Sequence, residues 1–255
     1  MKALILAAGR GKRLWPYTSD RPKCLLDIGG VTILEHQLAN LESAGVRRVV
    51  LVCGFGVDRI RRKLEECKLG LHVRLLYNPF FAVADNLVSL WAARGDMDED
   101  FLLLNGDNVF HPDVLDRLTT SSASVTRLMI QRKSTYDADD MKVVLEGEFV
   151  RQIGKKLPSA QADAESIGIM QFCGAGVRQL LRTLEESVME ETALGGLFVE
   201  AIQSLVNKGQ SVSVGDIGDL PWADVDTPDD LAYVRAHADL FNIAGKRQKL
   251  MRRLA

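Results

Sequence analysis

The stretch from Lys2 to Lys23, KALILAAGRGKRLWPYTSDRPK, constrains this chain more than any other. Ala3 to Leu6 form a short apolar run that predicts a buried first strand. The run breaks into Ala7-Ala8-Gly9-Arg10-Gly11, small residues that let a backbone pass close to a ligand. Lys12, Arg13 and Lys23 then add cations, while Pro16 and Pro22 stiffen the path between them. Backbone N–H groups at the end of a strand carry fixed partial positive charge, and Arg and Lys supply full charge. Such a segment suits a polyphosphate.

The remaining composition narrows the function. A length of 255 residues allows one large α/β domain or two small ones. A net charge of −2 excludes a basic field of the kind that bulk nucleic-acid binding needs, so the N-terminal cations are aimed at something small and anionic. Cys24, Cys53, Cys67 and Cys173 lack metal-like spacing and read as free thiols. No apolar run reaches membrane-spanning length, and Lys2 leads into a strand rather than a signal peptide, so the cytoplasm is the expected compartment.

Strand and helix patterns then alternate. Thr32–Ala44 has helical apolar spacing closed by Gly45, Val49–Val52 predicts a parallel strand, and Asp58–Cys67 an amphipathic helix. His72–Tyr77 predicts a strand, Asn86–Gly95 a helix, and Phe101–Leu104 a fourth strand ending at Asn105-Gly106-Asp107. This βαβαβαβ order predicts an α/β fold with a Rossmann-like, mostly parallel sheet flanked by helices. In the second half, strands are expected at 124–131, 141–145, 148–153, 166–172 and 211–214. Helices are expected at 177–190, 197–208 and 228–238, with Pro221–Asp226 a loop. No linker or repeat interrupts the chain. A single domain, with a nucleotide half at about 1–120 and an acceptor half at about 121–240, is the simplest organisation. Lys246–Arg253 reads as a basic, solvated tail.

Two carboxylates give the phosphate reading a metal. Asp107 follows an apolar strand at its carboxyl end, where open α/β sheets bind ligands. Asp226 precedes Thr227-Pro228 in WADVDTPDDL, with Asp224 as a reserve. Mg²⁺ prefers carboxylate oxygens together with substrate phosphates. Taken singly, the first Asp fits a turn former and the second a helix-start carboxylate.

The segment LAAGRGKRLWPYTSDRPKCLLDIGG resembles the signature of the sugar-phosphate nucleotidyltransferase family, with Gly9, Gly11, Arg13, Pro16, Pro22 and Lys23 falling on its motif. The resemblance extends through NGDNVF around Asp107, MKV at 141–143, ESIGIMQF at 165–172 and WADVDTPDDL. It is strongest to the branch of phosphocholine, inositol-phosphate and aminoethylphosphonate cytidylyltransferases, whose YNPxxxxxDNxxSLW-like and YDxDDMKV-like segments stand here at 77–91 and 136–143.

That resemblance implies the nucleotide-diphospho-sugar transferase type of fold. It also implies a Mg²⁺-dependent reaction joining an NTP to a small phosphate or phosphonate monoester with release of pyrophosphate, CTP being the nucleotide of this branch and UTP, dTTP or GTP with a sugar 1-phosphate the alternative in the wider family. Arg13 would hold the departing β- and γ-phosphates and Lys23 the α-phosphate, with Mg²⁺ on Asp107 and Asp226. Leu6 to Gly11, including Arg10, would line the nucleotide together with Ala84, Asn86 and Gly106. Arg10 and Lys12 suit a phosphate contact or a solvated loop face equally. Uridylyl and thymidylyl relatives carry Gly-Gly after the third strand; Ala82-Val83-Ala84-Asp85-Asn86 stands here instead, which argues for cytosine. Asn86 also fits a helix N-cap.

Lys142 and Lys155 are the expected contacts for the acceptor's phosphate, against ordinary surface lysines. Glu165, Glu200 and Trp222 are expected near its far end, with Trp91, Tyr136 and Asp140 as further candidates. Ammonium and polyol acceptors are both left open, as is a homodimer. Three other readings make different demands on the sequence. A Rossmann dehydrogenase needs a third glycine where Leu14 stands. A glycosyltransferase would show Asp-x-Asp where Asp107-Asn108-Val109 stands. A non-catalytic nucleotide-sugar sensor would lack Arg13, Lys23, Asp107 or Asp226, and all four are present.

Overall fold

Buried strands covered on both faces need apolar residues at every position, and the first half of the chain supplies them. The computed structural model describes residues 1–67, 69–119, 125–243 and 245. β1 (Lys2–Ala7), β2 (Arg48–Cys53), β3 (His72–Tyr77) and β4 (Phe101–Asn105) lie parallel, in the order β3-β2-β1-β4. Along β1, Leu4 and Leu6 pack on one face, and Ala3, Ile5 and Ala7 on the other. This two-sided burial explains why β1, β2 and β4 read as near-continuous apolar runs, whereas β3, at the edge of the sheet, is half-exposed and carries His72 and Arg74.

The helices divide between the faces. α1 (Ile33–Ser43), α2 (Val57–Glu66) and α4 (Asp113–Thr119) cover one side; α3 (Asn86–Ala92), α5 (Ala175–Ser187) and α6 (Phe198–Asn207) cover the other. α1 starts with a capping box: Thr32 accepts from the Glu35 N–H, and the Glu35 carboxylate accepts from the Thr32 N–H. No helix among the described residues is long and apolar enough to cross a membrane.

The second half extends the same sheet. The strands are β6 (Thr126–Gln131), β7 (Lys142–Glu146), β8 (Phe149–Gly154), β9 (Ala164–Phe172) and β10 (Ser213–Asp216). The full order is β3-β2-β1-β4-β9-β6-β10-β8-β7, nine strands that join both halves of the chain. β9 runs antiparallel to both β4 and β6, while β10 is parallel to β6. The sheet is therefore parallel in the nucleotide half and mixed beyond it. Lys246–Arg253, read as a basic tail, lies outside the described residues.

The Pro221–Asp226 segment, expected as a loop, contains a short strand. β11 (Trp222–Asp224) pairs antiparallel with β5 (Asn108–Phe110), in the register Asp224 opposite Asn108. Asp226 leads into α7 (Pro228–Ala236), whose Thr227 and Asp230 form a second capping box. A third apolar cluster, including Leu14, Val109, Val225 and Leu231, locks this unit beneath the N-terminal loop.

The seam between halves rests on β4 and β9, where the fully buried rings of Phe101 and Phe172 stack at 5.1 Å between centroids. Phe172→Ala is expected to lower stability by about 3–5 kcal/mol in urea unfolding. A loss below about 1 kcal/mol would show that the seam is not a main support of the sheet.

Candidate active site

The C-terminal ends of β1 and β4 meet at a very short distance. A Cβ on Gly106 would lie 2.6 Å from the Ala7 Cβ and 2.7 Å from the Leu6 carbonyl oxygen. Only glycine permits this approach, and the Gly106 N–H uses it to donate to Leu6 O at 2.9 Å. Asp107 is thereby set beside the loop that follows β1. The loop itself turns at Gly11, whose φ of 63° is left-handed, and is anchored by the fully buried Leu14.

Lys23 occupies the centre of this arrangement. Its Nζ donates to Asp107 Oδ2 at 2.7 Å and also to Asp226 Oδ1. Burial opposes the charge on Lys23, but Asp107 and then Asp226 outweigh it and hold the ammonium above its ordinary pKa. Burial likewise pushes Asp226 up, whereas Lys23, Arg13 and Lys155 bring it below the usual carboxylate range. Arg13 spans two carboxylates, donating to Asp226 Oδ2 at 2.6 Å and Asp139 Oδ2 at 2.9 Å. Lys155 Nζ is 3.4 Å from Asp139 Oδ1. Asp139 thus ties the acceptor half to the N-terminal loop.

The other Asp107 oxygen, Oδ1, is buried and has no hydrogen-bond partner. Asp224 stands nearby and accepts from Asn108 Nδ2. Desolvation, then the charge of Asp107, raises its pKa well above the ordinary value. Gln37 supports this floor from α1. Its Nε2 donates to the carbonyls of Asn105 at 2.8 Å and Asn108 at 2.9 Å, on either side of Gly106-Asp107.

A cavity of about 620 Å³ opens over these groups. Leu6, Ala7, Ala8, Gly9, Arg10, Gly11 and Gly106 line it with Arg13, Lys23, Asp107 and Asp226. Ala84 and Asn86 lie in its wall, as do Lys155 and Glu165. The Arg10 guanidinium lies over the rings of Phe55 and Phe81, at 5.5 and 5.6 Å from their centroids. Lys12 also lines the cavity. Asn86 is not the cap of α3. Asp85 holds that position, and Asn86 is the first helical residue.

Glu165 is buried, and its carboxylate accepts from Lys133 Nζ at 2.6 Å; the same ammonium holds Asp140 at 2.8 Å. Burial pushes Glu165 up to about 7 against the pull of Lys133, with Asp140 adding to the rise.

Three expected acceptor contacts belong elsewhere. Lys142 is 1% exposed, and its Nζ donates to the carbonyls of Asp137 at 2.9 Å, Ala138 at 3.3 Å and Asp140 at 3.2 Å. The pleat of β7 turns it inward, so it fastens the 137–140 turn instead of meeting a substrate. Glu200 is exposed on the first turn of α6, outside the cavity lining. Trp222 packs against the core and donates from Nε1 to Gln131 Oε1 at 2.7 Å. Trp91, Tyr136 and Asp140 also lie outside the lining; Arg94 stacks on Trp91 at 3.9 Å, and the Tyr136 hydroxyl accepts from the Lys133 N–H at 3.1 Å.

Asp139, Lys133, Gln37 and Ser89 were not singled out from sequence. Asp139 lies inside the YDxDDMKV-like segment, and Gln37 is a polar residue on the apolar face of α1. Those were the available signals.

An amide-rich loop after a first parallel strand, cations facing two strand-end carboxylates, and a cavity across them define a nucleotide-binding α/β protein of transferase type. The MobA-like NTP transferase domain matches residues 3–188, and the chain belongs to that family. It is 33% identical over 239 residues to CMP-5'-(3-aminopropyl)phosphonate synthase of Streptomyces rubellomurinus, covering 90% of this chain and 37% of that protein. It is 31% identical over 232 residues to the bifunctional IPC transferase and DIPP synthase of Rubrobacter xylanophilus, covering 90% of this chain and 50% of that one. The chain spans half or less of these two relatives. The solved structure of the inositol-1-phosphate CTP transferase from T. maritima shares the fold, with a TM-score of 0.79 at 23% identity over 97% of this chain and 96% of that one.

Proposed function

We propose that the protein transfers a cytidylyl group from CTP to a small phosphate or phosphonate monoester and releases pyrophosphate. The observation that carries this reading is Lys23, a buried ammonium set between Asp107 and Asp226 beside an amide-lined loop. Membership of the NTP transferase family and the likeness to a CMP-phosphonate synthase support it. In the proposed step an acceptor oxygen attacks the α-phosphorus in line. The bond from that phosphorus to the bridging oxygen breaks, and pyrophosphate leaves with the electron pair. No protein nucleophile is required, so the residues act by positioning and by neutralising charge.

Lys23 would turn from the carboxylates to the α-phosphate, and Arg13 from Asp139 and Asp226 to the leaving phosphates. Lys155 would take the acceptor's phosphate and Glu165 its far end. The residues fit Mg²⁺: the unpaired Asp107 Oδ1 is a buried hard donor, and Asp226 faces the same ammonium. Bound there, the cation would offset negative charge on the phosphates. Among the described residues no three acidic, His or Cys side chains could hold a metal by themselves, so phosphate and water oxygens would complete the set. The four cysteines are free thiols, which suits the cytoplasm.

Gln37→Met, which keeps the volume but removes the amide, is expected to raise the half-saturating Mg²⁺ concentration about tenfold. A Mg²⁺ titration of turnover checks this; an unchanged curve would end the positioning role of Gln37.

The reading itself is tested by pyrophosphate release with Mg²⁺, crossing four NTPs against phosphocholine, aminoethylphosphonate, inositol 1-phosphate and several sugar 1-phosphates. Release with CTP and one non-sugar acceptor is expected. Release with UTP, dTTP or GTP and a sugar 1-phosphate would keep the chemistry and overturn the substrate assignment. Nucleotide binding without release across the panel would favour a regulatory binder.

A further inference from the structure

Asp139 stands on a turn that is pinned from several sides. The buried Lys142 ammonium donates to the carbonyls of Asp137, Ala138 and Asp140, on both sides of Asp139 in the chain. The Asp137 N–H donates to Asp140 Oδ2 at 2.8 Å, and Lys133 holds the same carboxylate at 2.8 Å. Lys133 also pairs with the buried Glu165 of β9 at 2.6 Å, so the turn is fastened to the sheet as well as to itself. The Asp139 side chain projects from this fixed base, 76% exposed, and lines the cavity.

The two cations that Asp139 meets serve different parts of the proposed reaction. Its Oδ2 accepts from Arg13 Nη1 at 2.9 Å, and its Oδ1 lies 3.4 Å from Lys155 Nζ. Arg13 is assigned to the leaving phosphates and Lys155 to the acceptor's phosphate, so one carboxylate stands on both. Each of its oxygens takes the place of a phosphate oxygen on one of those cations. A carboxylate on a loose loop would move away as phosphates arrived. On a pinned turn it stays beside the cavity, and its charge opposes theirs. Asp226 differs, because it also pairs with Lys23 and suits a metal.

We propose that Asp139 is a built-in competitor that loosens the hold of Arg13 and Lys155 on phosphate and thereby promotes the departure of pyrophosphate. Pyrophosphate is held by charge alone. When Arg13 returns to Asp139, one charge-assisted contact replaces another, so release leaves no cation unpaired. The inference rests on the reading of Arg13 and Lys155 as phosphate contacts, and it concerns release of the product, not the transfer step.

Asp139→Asn keeps the size of the side chain and removes its charge at an exposed position, so the fold should be retained. The variant is expected to bind magnesium pyrophosphate about three- to tenfold more tightly by calorimetry, and the Ki of pyrophosphate as a product inhibitor should fall by a similar factor. The sign is diagnostic, since damage to the site would weaken binding. Raising salt from about 0.05 M to about 0.5 M should shrink the difference, because the carboxylate acts by charge. Asp139→Glu, which keeps the charge, should stay within about twofold of wild type. A Kd for Asp139→Asn equal to or above that of wild type overturns the inference while leaving the phosphate reading intact. A gain just as large in Asp139→Glu overturns it too, because charge is then not the cause. Wild-type protein that binds no pyrophosphate would instead overturn the assignment of Arg13 and Lys155 to phosphates, and the inference with it.

Discussion

Replacing Lys23 by Ala is expected to lower kcat on the order of 10²–10³-fold while changing the KM for CTP by less than about tenfold. The asymmetry follows from the partners of the ammonium. The ammonium is already satisfied by Asp107 and Asp226, so binding CTP would exchange one set of anions for another. The gain comes later, as negative charge builds on the oxygens around the α-phosphorus and a desolvated cation meets it without reorganising. Steady-state kinetics at saturating acceptor measures the split. An equal loss in kcat and in affinity would make Lys23 a general phosphate anchor and remove it from the transition state.

Asp107→Asn is expected to be comparably severe, with kcat down on the order of 10²–10³-fold and the half-saturating Mg²⁺ raised tenfold or more. The substitution keeps the size of the side chain but removes the charge that pairs with Lys23 at 2.7 Å. It also puts an amide where the unpaired buried Oδ1 or its partner oxygen stands. Asp226 remains ionised at neutral pH because Lys23 and Arg13 hold it below the usual range against its burial. That surviving carboxylate is expected to keep weak metal binding in the variant. A Mg²⁺ titration identical to wild type would move the metal away from Asp107.

The parts of this site that could be seen in the sequence are those in which one residue type does one job. The run Ala3-Leu4-Ile5-Leu6 could only be a strand covered on both sides, and it is. Gly9, Gly11, Arg13 and Lys23 stand close together in sequence, so the loop and its cations could be assigned together. Asp107 was placed by the apolar strand in front of it. Its meeting with Asp226 depends on β11, three residues long and half-buried, too short to show any periodicity. That strand read as a loop, and only its pairing with β5 brings the two carboxylates to one ammonium.

Lys142 shows the opposite failure. A lysine at the start of a strand in the acceptor half reads as a phosphate contact or a surface residue, but the pleat of β7 points it inward, and three backbone carbonyls accept its protons. Nothing local announces those carbonyls. The antiparallel direction of β9 was equally hidden, because an apolar run is the same in either sense. Asn86 was visible as a polar residue at a helix start. Its acceptance of the Phe198 N–H, 112 residues away in sequence, was not visible there.

The most direct test of the account follows the phosphorus atoms of CTP. With CTP labelled at the α-phosphate and, separately, at the γ-phosphate, the account predicts α-label in a CMP-linked organic product and γ-label only in pyrophosphate. Formation of both products should require the acceptor, and both should fall together in Lys23→Ala. Label from the γ-phosphate in the organic product, or in inorganic phosphate formed without pyrophosphate, would contradict transfer of a cytidylyl group.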